Sequence, residues 1–458
     1  MRTLGIQSQR IRRSLAGAAL AATVCHAGWQ DEVGYTDLSD ELGAGTPTGT
    51  GITASQVEAE SGGNYAPDET NTQFNDTTIN EKSGTSGPSN HATTVGKYLY
   101  GNTTSMTPDI NIVDSWEAND WINTKLLANT PSEDRDIQNH SWIGTFGNDS
   151  DDQEAMRRYD YMINESDFVG VVGVNNGASS NPVPRLMAHN YNGISVGCTD
   201  GDHSYGDTNL DEPGRVKPEI VVPLGATSYA TPVVGSAAGI LLETVDGDAA
   251  LSNARTSAAI KAITLVGATK DEFSTWDRTA TRPLDEVYGA GELNVYNSYQ
   301  TLVAGEQEAS TSEDVGLTGW DVDQMPTNTG NSLQYFFEIT QQDRAQDLSA
   351  VLTWNRSVSV DGVGPFQTWN ASVADLRLEL YSATNYTLDK LLDYSDSEVD
   401  NVEHIYQTSL SPGRYAFELT GDTADQEFSL AWFSTAIPEP TSAMLLVAAG
   451  LFALRRRC

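Results

Sequence analysis

The sequence has 458 residues, enough for two to four domains, and 38% hydrophobic against 19% charged residues supports buried cores and excludes an intrinsically disordered chain. Its formal net charge is −37, from 63 acidic and 26 basic residues, a surface that repels polyanions and excludes nucleic acid as a partner. The three cysteines, Cys25, Cys198 and Cys458, lie too far apart in kind and place to build an intrachain disulfide framework.

Residues 1–27 start with Arg2, Arg10, Arg12 and Arg13, continue through the apolar Leu15–Val24 and end at Ala27. That order predicts a signal peptide, with an apolar run too short to span a bilayer. Residues 28–50 are polar and rich in Gly and Thr, too few to form a folded domain of their own. Thr48–Glu60 reads weakly as a strand carrying the acid Glu58, with Asp68 and Asp76 as further acids on the next loop. After Ser89-Asn90-His91 the pattern turns apolar at helical spacing, which puts His91 at a helix start. Arg135–Gly144 reads as a polar-flanked strand with a second histidine, His140. Ser166–Val174 is a continuous apolar run, as in a parallel strand covered on both faces, and it ends at Asn175-Asn176-Gly177. Tyr191–Thr199 and Arg215–Gly225 read as further strands, with Cys198 a small buried residue.

Gly225-Ala226-Thr227-Ser228-Tyr229-Ala230-Thr231-Pro232 then opens an apolar, small-residue stretch without charge until Glu243. It predicts a helix buried on all sides, with Pro232 in its first turn and Ser228 at its N-terminus, beside backbone N–H groups that favour developing negative charge. Each of these residues also has an ordinary reading. Ser228 could be a helix cap, Glu58 a solvated acid, His91 a structural imidazole and Asn175 part of an Asn-Gly turn.

Taken together and in order, the motifs resemble those of the subtilase (subtilisin-like serine peptidase) family. The octapeptide resembles its G-T-S-x-A-T-P, with Ala226 in place of the first Gly. His91-Ala92-Thr93-Thr94-Val95 is similar to H-G-T-H-V, Val174-Asn175-Asn176-Gly177 to G-N-x-G, and Lys217-Pro218-Glu219-Ile220-Val221 to K-P-D-I-V. The loop that subtilases place before the serine motif is almost absent. Glu58 stands where the family has its triad Asp. The resemblance covers roughly residues 45–305. It implies a subtilisin-like, doubly wound α/β fold with a mostly parallel sheet and a serine endopeptidase activity on protein or peptide substrates. It assigns Ser228 as nucleophile, His91 as base, Glu58 as the acid that orients it, and Asn175 as oxyanion donor. The competing reading is a catalytically weak or inactive subtilase scaffold acting as a surface binding or structural protein. The chemistry needs no cofactor. Structural calcium is compatible with the family, and acidic loops such as Asn148–Asp152 are candidates, although solvated charge is their simpler reading; the metal ligands stay unknown.

Residues 306–330, rich in Glu, Ser, Thr, Gly and Asp, read as a linker after a catalytic domain at 28–305. From 331 to 435, short alternating strands predict an antiparallel β-sandwich, similar to modules appended to secreted peptidases. The tail at 436–458 joins Pro438-Glu439-Pro440 to the apolar Ala443–Leu454 and Arg455-Arg456-Arg457. It resembles the PEP-CTERM sorting signal. That implies a membrane-arresting transmembrane helix, a sorting transpeptidase acting at Pro438-Glu439-Pro440, and delivery to the cell surface, outer membrane or extracellular matrix of a Gram-negative bacterium.

Overall fold

The computed structural model describes residues 28–177, 182–328 and 330–437. The signal peptide expected at 1–27 and the sorting signal expected from Pro438 onward lie outside the described residues. Among the described residues, no helix is long and apolar enough to cross a membrane.

Seven strands form the first sheet: β1 (Ala54–Glu58), β2 (Thr78–Glu81), β3 (Ile112–Glu117), β4 (Ile137–His140), β5 (Val169–Gly173), β6 (Ile194–Cys198) and β7 (Ile220–Val222). Their order is β2-β3-β1-β4-β5-β6-β7, and every neighbouring pair is parallel. Both faces are covered, which is why β5 can be Val-Gly-Val-Val-Gly with all five residues buried. On one face Val171 and Val196 pack with α3 (Thr227–Gly247) and α4 (Ser257–Gly267). On the other, Val57 and Val172 pack with Met156, Tyr159 and Ile163 of α2 (Asp149–Ser166). Helix α1 (Asn90–Tyr100) lies against α3, whose small residues permit the approach: a Cβ on Gly235 would come within 2.9 Å of Leu99.

The stretch expected as a linker is not one. Ser310–Asp314 (β8) and Gly319–Gln324 (β9) pair into the two sheets that follow, so the sandwich starts about twenty residues earlier than the sequence pattern suggested. The remaining strands of these two sheets are β10 (Leu333–Ile339), β11 (Gln346–Thr353), β12 (Leu376–Thr384), β13 (Thr387–Ser395), β14 (Val402–Leu410), β15 (Gly413–Gly421) and β16 (Glu427–Ala436). They form a five-stranded sheet, β8-β10-β15-β12-β13, and a four-stranded sheet, β9-β16-β11-β14. Tyr335, Phe417, Leu352 and Trp432 fill the space between them. This is the α/β class that the sequence predicts, a parallel sheet covered on both faces, followed by a β-sandwich that is antiparallel except where β8 pairs parallel with β10. Residues 28–50 also hold more order than their composition suggested. Helices Trp29–Glu32 and Tyr35–Leu42 bury Val33 and Leu38 in the main core, and the Val295 N–H donates to the Val33 carbonyl at 2.8 Å.

Candidate functional site

The carboxyl ends of β1, β4 and β5 and the amino ends of α1 and α3 meet at one edge of the parallel sheet. This is where an open α/β sheet usually offers its crevice. Glu58 is the last residue of β1, His91 the second residue of α1, and Ser228 the second residue of α3. Ser141-Trp142-Ile143 follows β4, and Val174-Asn175 follows β5. A cavity of about 340 Å³ is lined by His91, Ser141, Asn175, Asn176, Thr227 and Ser228, among others. A second, of about 400 Å³, shares Ile143 and Asn175 with it and runs on between Val183, Pro184, His189 and Asp207.

Glu58 reaches His91 despite being one methylene longer than the family's acid. Its Oε2 lies 2.7 Å from His91 Nδ1, with the carboxylate buried and the imidazole side chain 37% exposed. Burial pushes the Glu58 carboxyl above its ordinary range, and the hydrogen bond and charge of His91 pull it back only in part. That same hydrogen bond lifts the imidazole above its ordinary value, against burial, which acts in the opposite sense. A carboxylate on Nδ1 fixes the tautomer and leaves Nε2 to face the cavity. Among the described residues no hydrogen bond joins His91 to Ser228; the Ser228 hydroxyl instead donates weakly, at 3.5 Å, to the Ser141 carbonyl. The helix starts carrying the two residues are adjacent, with the His91 and Tyr229 rings 6.2 Å apart.

The start of α3 is built by residues whose part the sequence reading missed. Asn176 Oδ1 accepts from the Thr227 N–H at 2.8 Å and so caps the helix from another loop. Pro232 was expected in the first turn, where its missing N–H costs nothing. It is instead the sixth residue of α3, so the Ser228 carbonyl loses its intrahelical donor. The Ser141 hydroxyl replaces that donor at 3.0 Å. A proline four residues after the serine was the signal that could have announced this. Asn175 is held by its own N–H, which donates to Ser204 Oγ at 3.0 Å, and the residue lines the cavity beside Ser228.

The other candidates fall into structural places. His140 is buried; its Nδ1 accepts from the Trp142 indole at 3.1 Å and its Nε2 contacts Gln138 Oε1 at 2.7 Å, while burial holds its imidazole down at about 3. Asp68 accepts from the N–H and hydroxyl of Thr70 on its own loop, and Asp76 is exposed. Cys198 is buried and its thiol is pushed up to about 12, chiefly by that burial. In the acidic loop at 148–152, two of the side chains are already engaged. Asn148 caps α2, and Asp152 accepts from Phe146 N–H and Thr145 Oγ1 while pairing with Arg185. No group of three or more His, Cys, Asp or Glu arranged to hold a metal occurs among the described residues.

No family model matches this chain, and no curated protein is similar to it in sequence. Solved structures similar to it include the prenylagaramide maturation protease PagA, with 16% identity, a TM-score of 0.38, and coverage of 54% of this chain and 93% of that one. A cold-adapted subtilisin-like serine proteinase gives 16% identity and a TM-score of 0.35 over 54% of this chain and 88% of that one. The PatG macrocyclase in complex with peptide gives 14% identity and a TM-score of 0.39 over 60% and 97%.

Proposed function

We propose that this protein is an exported, surface-sorted serine endopeptidase that cleaves peptide bonds through Ser228, His91 and Glu58. The observation that carries the reading is the 2.7 Å contact between a buried Glu58 carboxylate and His91 Nδ1, with His91, Ser228 and Asn175 lining one cavity. Ser228 Oγ attacks the peptide carbonyl carbon and its proton passes to His91 Nε2. The oxyanion accepts hydrogen bonds from the Asn175 amide and the Ser228 N–H. The C–N bond then breaks as His91 returns the proton to the leaving amine, and water, deprotonated by His91, releases the acyl group. In the resting protein such hydrogen bonds are often loose and tighten only around substrate.

The second reading, a weak or inactive scaffold with a binding role, is favoured by the missing hydrogen bond between His91 and Ser228. A fluorophosphonate probe decides between them. Labelling of the folded protein that disappears in Ser228→Ala supports the peptidase, and no labelling overturns it. Export and sorting are read from the two ends of the sequence, and fractionation of the host with and without the residues from Pro438 onward tests them. A thermal melt with and without chelator tests for a structural calcium ion, whose removal would lower the melting temperature.

A further inference from the structure

We infer that Gln56 and Tyr100 are positioning residues for the Glu58–His91 pair, and that together they let a glutamate work where the resembling family uses aspartate. The inference rests on the peptidase reading above. Glutamate has one more side-chain torsion than aspartate, so its carboxylate must be held to keep one oxygen on the imidazole. Gln56 sits two residues before Glu58 on β1, so both side chains leave the same face of the strand. Both residues are fully buried, as is Tyr100.

Gln56 Nε2 donates to Glu58 Oε1 at 3.0 Å and to the Ala92 carbonyl at 2.8 Å, while its Oε1 accepts from the Tyr100 hydroxyl at 2.6 Å. The two neighbours of Nε2 can only accept, so a flipped amide would set its oxygen against a carbonyl and a carboxylate. Tyr100 supplies the proton that fixes this orientation. Burial keeps that phenol protonated by pushing it well above its usual range, and the Glu58 charge acts in the same direction. The amide therefore pins Oε1 and leaves Oε2 to His91.

The other side of this bridge is α1 itself, which carries His91, the Ala92 carbonyl and Tyr100. Gly96, one turn before Tyr100, makes the slot for the hydroxyl: a Cβ there would lie 2.5 Å from the Tyr100 oxygen and 2.8 Å from its Cζ. A fully buried amide is costly unless satisfied, and here both Nε2 donors and the Oε1 acceptor are used to tie the acid's strand to the base's helix.

The test is Gln56→Met in the full chain, a side chain of similar length that cannot donate. We expect kcat to fall about 10- to 100-fold with KM nearly unchanged. In histidine-labelled protein, the downfield proton resonance of the His91 Nδ1–H should move upfield. In a Glu58→Ala background the same substitution should change kcat by no more than about twofold, because its effect runs through Glu58. Tyr100→Phe removes only one oxygen and should shift the resonance and kcat in the same direction, which keeps the test available should Gln56→Met fold poorly. An unmoved His91 resonance in both variants, or a full multiplicative loss in the Glu58→Ala background, overturns the inference. Absence of any Ser228-dependent hydrolysis in the wild type would overturn the peptidase reading instead, while the resonance still decides this one.

Discussion

Glu58→Asp would give this chain the acid that the resembling family uses, yet it should cost activity. Glu58 Oε2 lies 2.7 Å from His91 Nδ1. Removing one methylene draws the carboxylate back by about 1.5 Å, so the gap becomes roughly 4 Å, beyond hydrogen bonding. The 3.0 Å bond from Gln56 Nε2 is stretched in the same way. The backbone cannot advance to compensate, because β1 is paired on both sides, Val57 lying opposite Trp116 of β3 and His140 of β4. Glu58 itself is fully buried. A misplacement near 1 Å costs on the order of 100-fold in rate, so kcat/KM should fall by about that factor, or about 2.7 kcal/mol. The pH profile should move as well. His91 is raised above its ordinary value chiefly by its hydrogen bond to Glu58, with burial opposing. Without the bond, burial is opposed only by the weaker pull of the carboxylate charge, and the imidazole gives up its proton at lower pH. The acid limb of kcat/KM, which rises as His91 becomes a neutral base, should therefore shift to lower pH even as the plateau drops. The assay is hydrolysis of a fluorogenic peptide across pH by both proteins. A Glu58→Asp enzyme that equals or exceeds the wild type, or an acid limb that stays in place, would refute the reasoning.

Three further perturbations read other parts of the structure. Ser141→Ala leaves the Ser228 carbonyl without a donor, because Pro232 cannot supply one; the expected cost is about 1 kcal/mol in a denaturant melt, with kcat lowered more than KM is raised. Arg356→Ala removes the guanidinium that pairs with the fully buried Asp160 and with Asp211. The loss should be about 3 kcal/mol, the low end for a broken buried pair, since Asp160 Oδ1 still accepts from the N–H groups of Tyr191 and Asn192; the denaturation midpoint should fall with its slope unchanged. Asp321 is pushed up to about 7, chiefly by burial, although the Tyr335 hydroxyl donates to it at 2.7 Å. The folded protein thus keeps a proton there that the unfolded chain has lost, so this residue's stabilisation is greatest at acid pH and is lost as pH rises from about 4 to about 7, roughly 2–4 kcal/mol in all. Asp321→Asn should flatten that part of the stability profile measured by thermal melts, and an unchanged slope would refute it.

What was legible in the sequence follows from how local each signal is. The apolar run at 169–173 and the small-residue helix after Ser228 announce buried elements because burial on all sides leaves a continuous pattern. His91 and Ser228 were found from short motifs at helix starts, and both stand at the second position of their helices. Glu58 was found only because its place in the order of motifs was searched. The supports of that site were not legible. Gln56 and Tyr100 are 44 residues apart, and nothing near either one says that they touch. Asn176 was given no role of its own, although its oxygen caps a helix 51 residues on. The strands at 310–314 and 319–324 were read as a linker because the first, Ser-Thr-Ser-Glu-Asp, is wholly polar and the second alternates only over Trp320–Asp323 amid Gly, Glu, Ser and Thr, so their pairing partners, not their composition, define them.

Those misread strands bear on what the sandwich does. Its four-stranded sheet has two buried faces. One fills the sandwich interior; on the other, Trp320, Val351, Val402 and Ala431 are fully buried within the same core as β5, β6 and α3. Polar groups tie the same boundary. Thr353 Oγ1 donates to the Ala258 carbonyl at 2.9 Å, Asn401 Nδ2 to the Tyr191 carbonyl at 3.0 Å, and the Trp320 indole to the Leu302 carbonyl at 2.8 Å. Beneath them Glu219, against a burial that pushes it up, is held down to about 2 by Lys217 and Lys261, and Lys261 also donates to the Tyr191 and Gly193 carbonyls just before β6. A module that could be swapped or removed would meet its neighbour through a smaller, wetter contact. Here removing the sandwich would strip α4 of its cover and leave these charges facing a hole. The sandwich therefore shares one core with β5, β6 and α3, the elements that lead into Asn175 and Ser228.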